Sequence, residues 1–241
     1  MTLFIKPFGK LVLAKLQFLH CVRIFELNVL TKYLEPHAGE TILDVGSGKG
    51  FYCGFLKATG CNPTGIEPTP REVAFAQTIQ DPTIPFLVGM GEELPFSNGK
   101  FDKVVSVCVL EHTKDDQKVL KECFRVLKKE GVFVLSVDAL DNPHFDETYK
   151  KIHAMQHFVN QYYTREKLVK MLGKAGFDVE ASQYLFGSPL STYVMRVGGV
   201  LHFGLWFLLA FPILYPILWV DQQMNPQLES GMILVLKAVK K

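Results

Sequence analysis

Short apolar runs alternate with amphipathic stretches along most of this chain. Ile42, Leu43 and Val45 form one run, Pro63 to Glu67 a second, Pro85 to Val88 a third, and Phe101 to His112 a fourth with its exit loop. Gly131 to Val137 is a fifth, nearly all apolar, and Gly231 to Val239 is the last. Between them lie helical patterns. Phe51 to Thr59 runs up to Gly60, and Asp116 to Leu127 is amphipathic; Tyr163-Thr164-Arg165-Glu166 opens a helix that Ala175-Gly176-Phe177 closes before a further strand. Another helix starts at Thr69, with Pro70 at its first position and Glu72 completing a capping box, and runs to about Gln80. Uniformly apolar strands alternating with helices predict an α/β fold with a largely parallel, doubly covered sheet.

Both flanks depart from that alternation. Residues 4–34 read as helical, with Phe8, Leu11, Val12, Leu16, Leu19 and Val22 recurring at helical spacing and Lys6, Lys10 and Lys15 between them. The stretch serves either as a core-packed or lid helix or as a basic surface touching anionic membrane. Val200 to Val220 is an uncharged run interrupted by Pro212 and Pro216 and carrying Trp206, Tyr215 and Trp219. At 1.5 Å per residue it is long enough for a bilayer of ~30 Å.

Composition narrows the picture modestly. The 241 residues, 48% hydrophobic and 21% charged, suit one globular unit with a full core. A net charge of +2 gives no argument for nucleic acid. The five cysteines form no C-x-x-C pair and no zinc-spaced cluster, which predicts reduced thiols in a cytosolic protein. No clean apolar core precedes a small-residue cleavage site, so no signal peptide is expected.

The chemistry centres on Thr41 to Phe51, where a strand runs into glycines at 46, 48 and 50 and then a helix. A dinucleotide fingerprint fails by one residue, because its last glycine falls on Phe51, and no Gly-Lys-Ser/Thr of a P-loop follows. What remains is Asp44-x-Gly-x-Gly-x-Gly, which resembles the first motif of the class I S-adenosylmethionine (SAM)-dependent methyltransferases. The resemblance implies that Asp44, Gly46, Ser47, Gly48 and Gly50 form a loop around the methionine part of SAM. Glu67 ends the next strand about twenty residues after the loop, where a nucleotide-binding βαβ unit places the acid for a ribose diol.

Later stretches extend the resemblance. Gly89-Met90-Gly91-Glu92-Glu93-Leu94-Pro95-Phe96 is similar to the family's Gly-Asp-Ala-Glu-x-Leu-Pro-Phe, except that Met90 replaces the adenine-binding Asp. The adenine contact is then expected from backbone or Glu92, with Met90 packing on the ring and Gly91 beside it. Cys108 to His112 should face the methyl group at the strand ends, with Cys108 on the cofactor side and Glu111 on the acceptor side. The loop lacks the Pro-Pro-Tyr pattern of nucleic-acid base methyltransferases and resembles the Leu-Glu-His loop of ubiquinone/menaquinone-type enzymes. His112 is the candidate general base or substrate orienter. His157, Tyr162 and Tyr163 are expected as pocket walls; Asp138 and Asp141 follow the fifth strand's carboxyl end, where either can reach substrate, and are expected first as solvated loop acids. His153 and His157 lie four apart but lack a third ligand, so no metal is expected.

Together these readings predict a Rossmann-like seven-stranded sheet with helices on both faces. The resemblance implies that its last strand is antiparallel, inserted between the fifth and sixth. The expected division is an N-terminal apolar helical region (1–35), a SAM-binding core (36–190 and 229–241) and an apolar insertion (191–228). With that topology both ends of the apolar run lie on one side of any membrane, so a proline-bent hairpin dipping into one leaflet is expected rather than a crossing. The predicted function is methyl transfer from SAM to a lipid-like acceptor such as a quinone, isoprenoid, sterol or lipid head group, at the cytoplasmic face of a membrane. Two alternatives stand beside it: a soluble acceptor, sugar or phenol, with the apolar run as a lid, and a non-catalytic SAM-binding assembly protein docked on a membrane.

Overall fold

The computed structural model describes residues 21–200, 205–226 and 228–241, so the reading of residues 4–20 as helix lies outside the described residues. In chain order the elements are α1 (Cys21–Leu34), β1 (Thr41–Val45), α2 (Phe51–Ala58), β2 (Asn62–Glu67), α3 (Pro70–Ile79), β3 (Phe86–Val88) and β4 (Phe101–Val107). There follow a 3₁₀ turn (Leu110–His112), α4 (Asp116–Val126), β5 (Leu127–Asp138), α5 (Glu147–His157), α6 (Arg165–Ala175) and β6 (Phe177–Leu185). The chain ends with α7 (Pro189–Val200), α8 (Leu205–Met224) and β7 (Ile233–Lys240).

The strands form one sheet in the order β3-β2-β1-β4-β5-β7-β6. β1 runs parallel to β2 and β4, and β4 to β5, while β7 is antiparallel to both β5 and β6. This is the expected Rossmann-like sheet with its reversed last strand. Successive strand residues point to opposite faces, and the core divides accordingly. Leu43, Val104 and Phe133 pack with Leu120 and Cys123 of α4 and Leu168 and Leu172 of α6. Ile42, Val105 and Val134 pack on the other face with Leu30 and Leu34 of α1, Leu56 of α2, Met195 of α7 and Leu218 of α8.

Local details differ from expectation. β5 begins at Leu127 rather than Gly131: Leu127 pairs with Phe101, and a register shift follows before Lys103 pairs with Val132. Glu130 absorbs the irregularity with φ 60°. The capping box at α3 does not form. Thr69 caps without a side-chain bond, and its N–H donates instead to Glu67 Oε1 at 3.1 Å.

The apolar run is not a hairpin bent at its prolines, because Pro212 and Pro216 both lie inside α8. Four residues apart and both exposed, they share the outer side of the helix, where the carbonyls they free face away from the core. α8 docks by its inner side, with Leu218 buried, Tyr215 stacked on Phe25 of α1 at 5.1 Å, and Asp221 accepting from Ser188 Oγ at 2.7 Å. No helix among the described residues is long and apolar enough to cross a membrane.

Candidate active site

The glycine loop closes the carboxyl end of β1. Gly46 and Ser47 both donate their N–H to Ile66 O, at 2.8 and 3.0 Å, and Gly50 donates to Ser47 O at 2.8 Å. Gly46, Gly48 and Gly50 have φ of 76°, 49° and 71°, a region that side chains disfavour. Their surroundings differ. A Cβ on Gly46 would meet Val109 at 2.3 Å and one on Gly50 would meet the Phe86 ring at 2.4 Å, so these two are glycines because protein packs against them. Gly48 alone has open space on that side. Only there is the backbone open to close approach by a ligand.

Glu67 reaches this opening. Its Oε2 accepts from Gly48 N at 3.1 Å and its Oε1 from Thr69 N at 3.1 Å, which leaves acceptor capacity on both oxygens for a vicinal diol. Ser47 Oγ is buried with no hydrogen-bond partner. The open glycine, the two-oxygen acceptor and the orphaned hydroxyl fit a ribose-bearing cofactor such as SAM. Asp44 sits beneath the loop, 2% exposed, and accepts from Cys53 Sγ at 3.4 Å. Burial pushes its carboxyl up to about 7, against the Cys53 hydrogen bond and with a further push from Glu67. Beyond β3, Met90 is half exposed, Gly91 lies against Val45 and Val119, and Glu92 Oε1 accepts from Lys114 N at 3.3 Å.

A second group of side chains gathers at the carboxyl ends of β4 and β5. Cys108 leaves β4 with φ 51°, and its Sγ donates to Glu26 Oε1 at 3.1 Å. Glu26, on α1 and fully buried, also accepts from Ser136 Oγ at 2.5 Å and from Arg23 Nη1 at 2.6 Å. The Glu26 charge holds Arg23 firmly protonated. Glu111, fully buried on the 3₁₀ turn, accepts from Asp138 N at 3.1 Å through Oε1, and its Oε2 has no partner. Burial first, then the neighbouring Asp138, raises the Glu111 carboxyl well above its ordinary range; burial raises Asp138 as well. Asp138 is therefore no solvated loop acid: it ends β5 with a side chain 14% exposed. Asp141 is engaged too, accepting from Tyr184 OH at 2.8 Å.

The histidines and tyrosines frame this group. His153 Nε2 lies 3.9 Å from Asp138 Oδ2, but burial, then His112, pushes the imidazole down to about 4. The contact joins a neutral ring to a carboxyl and is no ion pair at neutral pH. His153 and His157 share one face of α5 with ring centroids 4.5 Å apart, and His157 is exposed. Tyr162 OH lies 3.1 Å from His153 Nδ1 and donates to Lys150 O at 3.0 Å. Tyr163 is not a pocket wall. It is fully buried, with its hydroxyl contacting Leu110 O and Asp116 Oδ2, and anchors the loop after β4. His112 is exposed, and its Nδ1 lies 3.2 Å from Phe158 O. A carbonyl only accepts, so Nδ1 carries the proton and Nε2 keeps the lone pair a base needs.

Arg23 and Glu26 were not singled out by sequence reasoning, since within residues 4–34 they read as ordinary polar positions of an amphipathic helix. α7 is tied to α5, the helix that carries His153. Tyr149 of α5 donates to Met195 O of α7 at 3.4 Å, and Arg196 of α7 pairs with Asp146, the cap of α5, at 2.8 Å. On its outer side α8 exposes Leu209, Ile213, Ile217, Trp219, Val220 and Met224. With Leu190 and Pro216, part of this face forms an apolar groove of about 550 Å³.

Comparison with known proteins adds a family. Residues 43–135 match the model of a methyltransferase domain. An uncharacterized methyltransferase of Mycolicibacterium vanbaalenii is 37% identical over 103 residues, covering 42% of this chain and 40% of that protein. A probable S-adenosylmethionine-dependent methyltransferase of Mycolicibacterium smegmatis is 30% identical over 169 residues, covering 67% of this chain and 62% of that protein. The chain thus spans from under half to under two thirds of the length of these relatives. In fold it is similar to phosphoethanolamine N-methyltransferase 2 of Haemonchus contortus solved with S-adenosyl-L-methionine, at TM-score 0.66 and 20% identity, covering 89% of this chain and 51% of that one.

Proposed function

Because the chain belongs to the class I SAM-dependent methyltransferase family, we propose that it transfers the SAM methyl group to a lipid-like acceptor taken from a membrane surface. The observation that carries the acceptor class is the outward apolar face of α8, attached through α7 to the helix whose His153 meets Asp138. Exposed apolar patches of this kind mark interaction surfaces. β6 and β7, which bracket α7 and α8, are neighbours in the sheet, so both ends of the segment leave from one side of the molecule. Such a segment lies on a bilayer rather than across it.

SAM, when bound, supplies an electrophilic sulfonium methyl. Glu67 and the open side at Gly48 hold the ribose, Ser47 Oγ gains a partner, and Met90 and Glu92 line the adenine side. The acceptor sits over Cys108, Glu111 and Asp138, walled by Tyr162 and His157. Its nucleophilic atom sheds a proton to His112 Nε2 or to the Asp138 carboxylate. Holding the reacting atoms in line and excluding water supplies most of the acceleration.

The test is transfer of labelled methyl from SAM into host membrane and cytosol extracts, followed by partition between organic and aqueous phases. Label in the organic phase is the expected result. Label confined to the aqueous phase refutes a lipid-like acceptor, and no label in either refutes the transfer.

A further inference from the structure

We propose that the carboxyl ends of β4 and β5 build a site for one divalent first-row transition metal, held by Cys108 Sγ, Glu111 and Asp138. One donor atom from each lies within 4.8 Å of the others, the one such group among the described residues. Tetrahedral ligands at about 2.0–2.3 Å from one ion lie about 3.3–3.8 Å apart, so side-chain rotation that draws the donors together by about 1 Å closes the set.

A further observation points to a ligand at this place. Glu111 is fully buried, yet its Oε2 has no hydrogen-bond partner. A buried carboxyl oxygen without a partner is expensive whether or not the group carries a proton, and Arg23 does not relieve it, being committed to Glu26 at 2.6 Å. His153 borders the group. Tyr162 OH donates to Lys150 O, so its oxygen accepts from His153 Nδ1, and the tautomer this selects leaves a lone pair on Nε2. That nitrogen and Asp138 Oδ2 stand 3.9 Å apart, so the ring lines the same recess as the three donors. His153 thus stands beside Asp138, outside the three-donor group, where it can orient that carboxyl.

The donor chemistry selects the ion. One sulfur and two carboxyls suit Zn²⁺, Co²⁺ or Fe²⁺ over Mg²⁺ and Ca²⁺, which prefer all-oxygen shells. On binding, the Cys108 S–H bond breaks, a sulfur–metal bond forms and the proton leaves to buffer. Arg23 Nη1, 3.5 Å from Sγ, remains to donate to the thiolate, and Asp138 N–H keeps Glu111 oriented. Positions left open on the ion would take an oxygen of the acceptor, a role that rests on the proposed methyl transfer.

The test is cobalt titration of chelator-treated full-length chain without SAM or acceptor. The expected result is one equivalent of Co²⁺ with a thiolate-to-cobalt charge-transfer band in the near ultraviolet. Glu111→Gln, which keeps the shape, should weaken binding by about tenfold or more. Cys108→Ser should remove the band, with far-UV circular dichroism reporting that both variants fold. No stoichiometric cobalt in the parent chain, equal binding by Glu111→Gln, or a band surviving in Cys108→Ser each overturns the site. Methyl transfer measured separately keeps the two readings apart: transfer without metal binding overturns the metal site alone, and metal binding without transfer overturns the enzymatic reading alone.

Discussion

Asp44 offers the sharpest energetic test of the loop that carries the family resemblance. Burial lifts its carboxyl from 3.8 to about 7, so between those values the folded chain holds a proton that the unfolded chain has released. With more protons bound in the folded state, stability falls as pH rises through this window and is flat outside it. The full cost above the window is about 4 kcal/mol, a large part of the 5–15 kcal/mol typical of a domain. Asp44→Asn keeps the shape and cannot ionise. Its extra N–H₂ finds no assured partner in this buried site and returns about 1–3 kcal/mol of the gain. The variant should therefore be more stable than the parent at pH 8 by about 1–3 kcal/mol, and less stable at pH 4. Urea unfolding at a series of pH values reads both curves. The decisive quantity is their difference, which should grow by somewhat more than 1 kcal/mol per pH unit through the middle of the window. Parallel curves would refute the assignment of a destabilising buried carboxylate to Asp44.

Three further outcomes follow from the same geometry. Glu67→Ala should lower SAM affinity by about tenfold or more in calorimetry, by removing a two-oxygen acceptor, with little change in Tm because its partners Gly48 N and Thr69 N regain water. Gly50→Ala should cost about 2–4 kcal/mol of stability, from a left-handed backbone and a clash with Phe86, whereas Gly48→Ala should cost about 1 kcal/mol and act mainly on SAM affinity; equal thermal shifts in the two would contradict the packing argument. Asp102 is raised by desolvation but brought to about 2 overall by hydrogen bonds from Lys128 and Thr41. Its contribution is present above pH 4 and lost as pH falls toward 2, so Asp102→Asn should cost about 1–2 kcal/mol at pH 7, after discount for exposure, and nothing at pH 2 in urea titrations.

What could be read from the chain was whatever one local stretch specifies. The apolar run at Ile42 to Val45 with its glycines gave the strand, turn and helix, and Glu67 could be placed because a strand of fixed rise carries it to the loop. Thr164 does cap α6, its side chain accepting from Lys167 N. Local reading failed where distant neighbours decide. Glu67, rather than Glu72, takes the Thr69 N–H because the glycine loop already holds that carboxylate in place. Tyr163 reads as a pocket wall until Leu110 and Asp116, about fifty residues earlier, engage its hydroxyl.

The acidic group at β4 and β5 shows the same limit in its strongest form, and it bears on function. Glu26 meets Ser136 across 110 positions, so nothing in the spacing of α1 marks it as buried. Asp138 resembles a loop acid because the residues that enclose it, Glu111 and His153, come from a 3₁₀ turn and a later helix. A fold needing only an apolar floor here would place serine or valine at these positions at lower cost. Several buried acids beside one committed arginine cost folding free energy at the strand ends and would favour a cation that reaches them. In the proposed methyl transfer, such a field would favour a positive sulfonium over a neutral ligand at the strand ends.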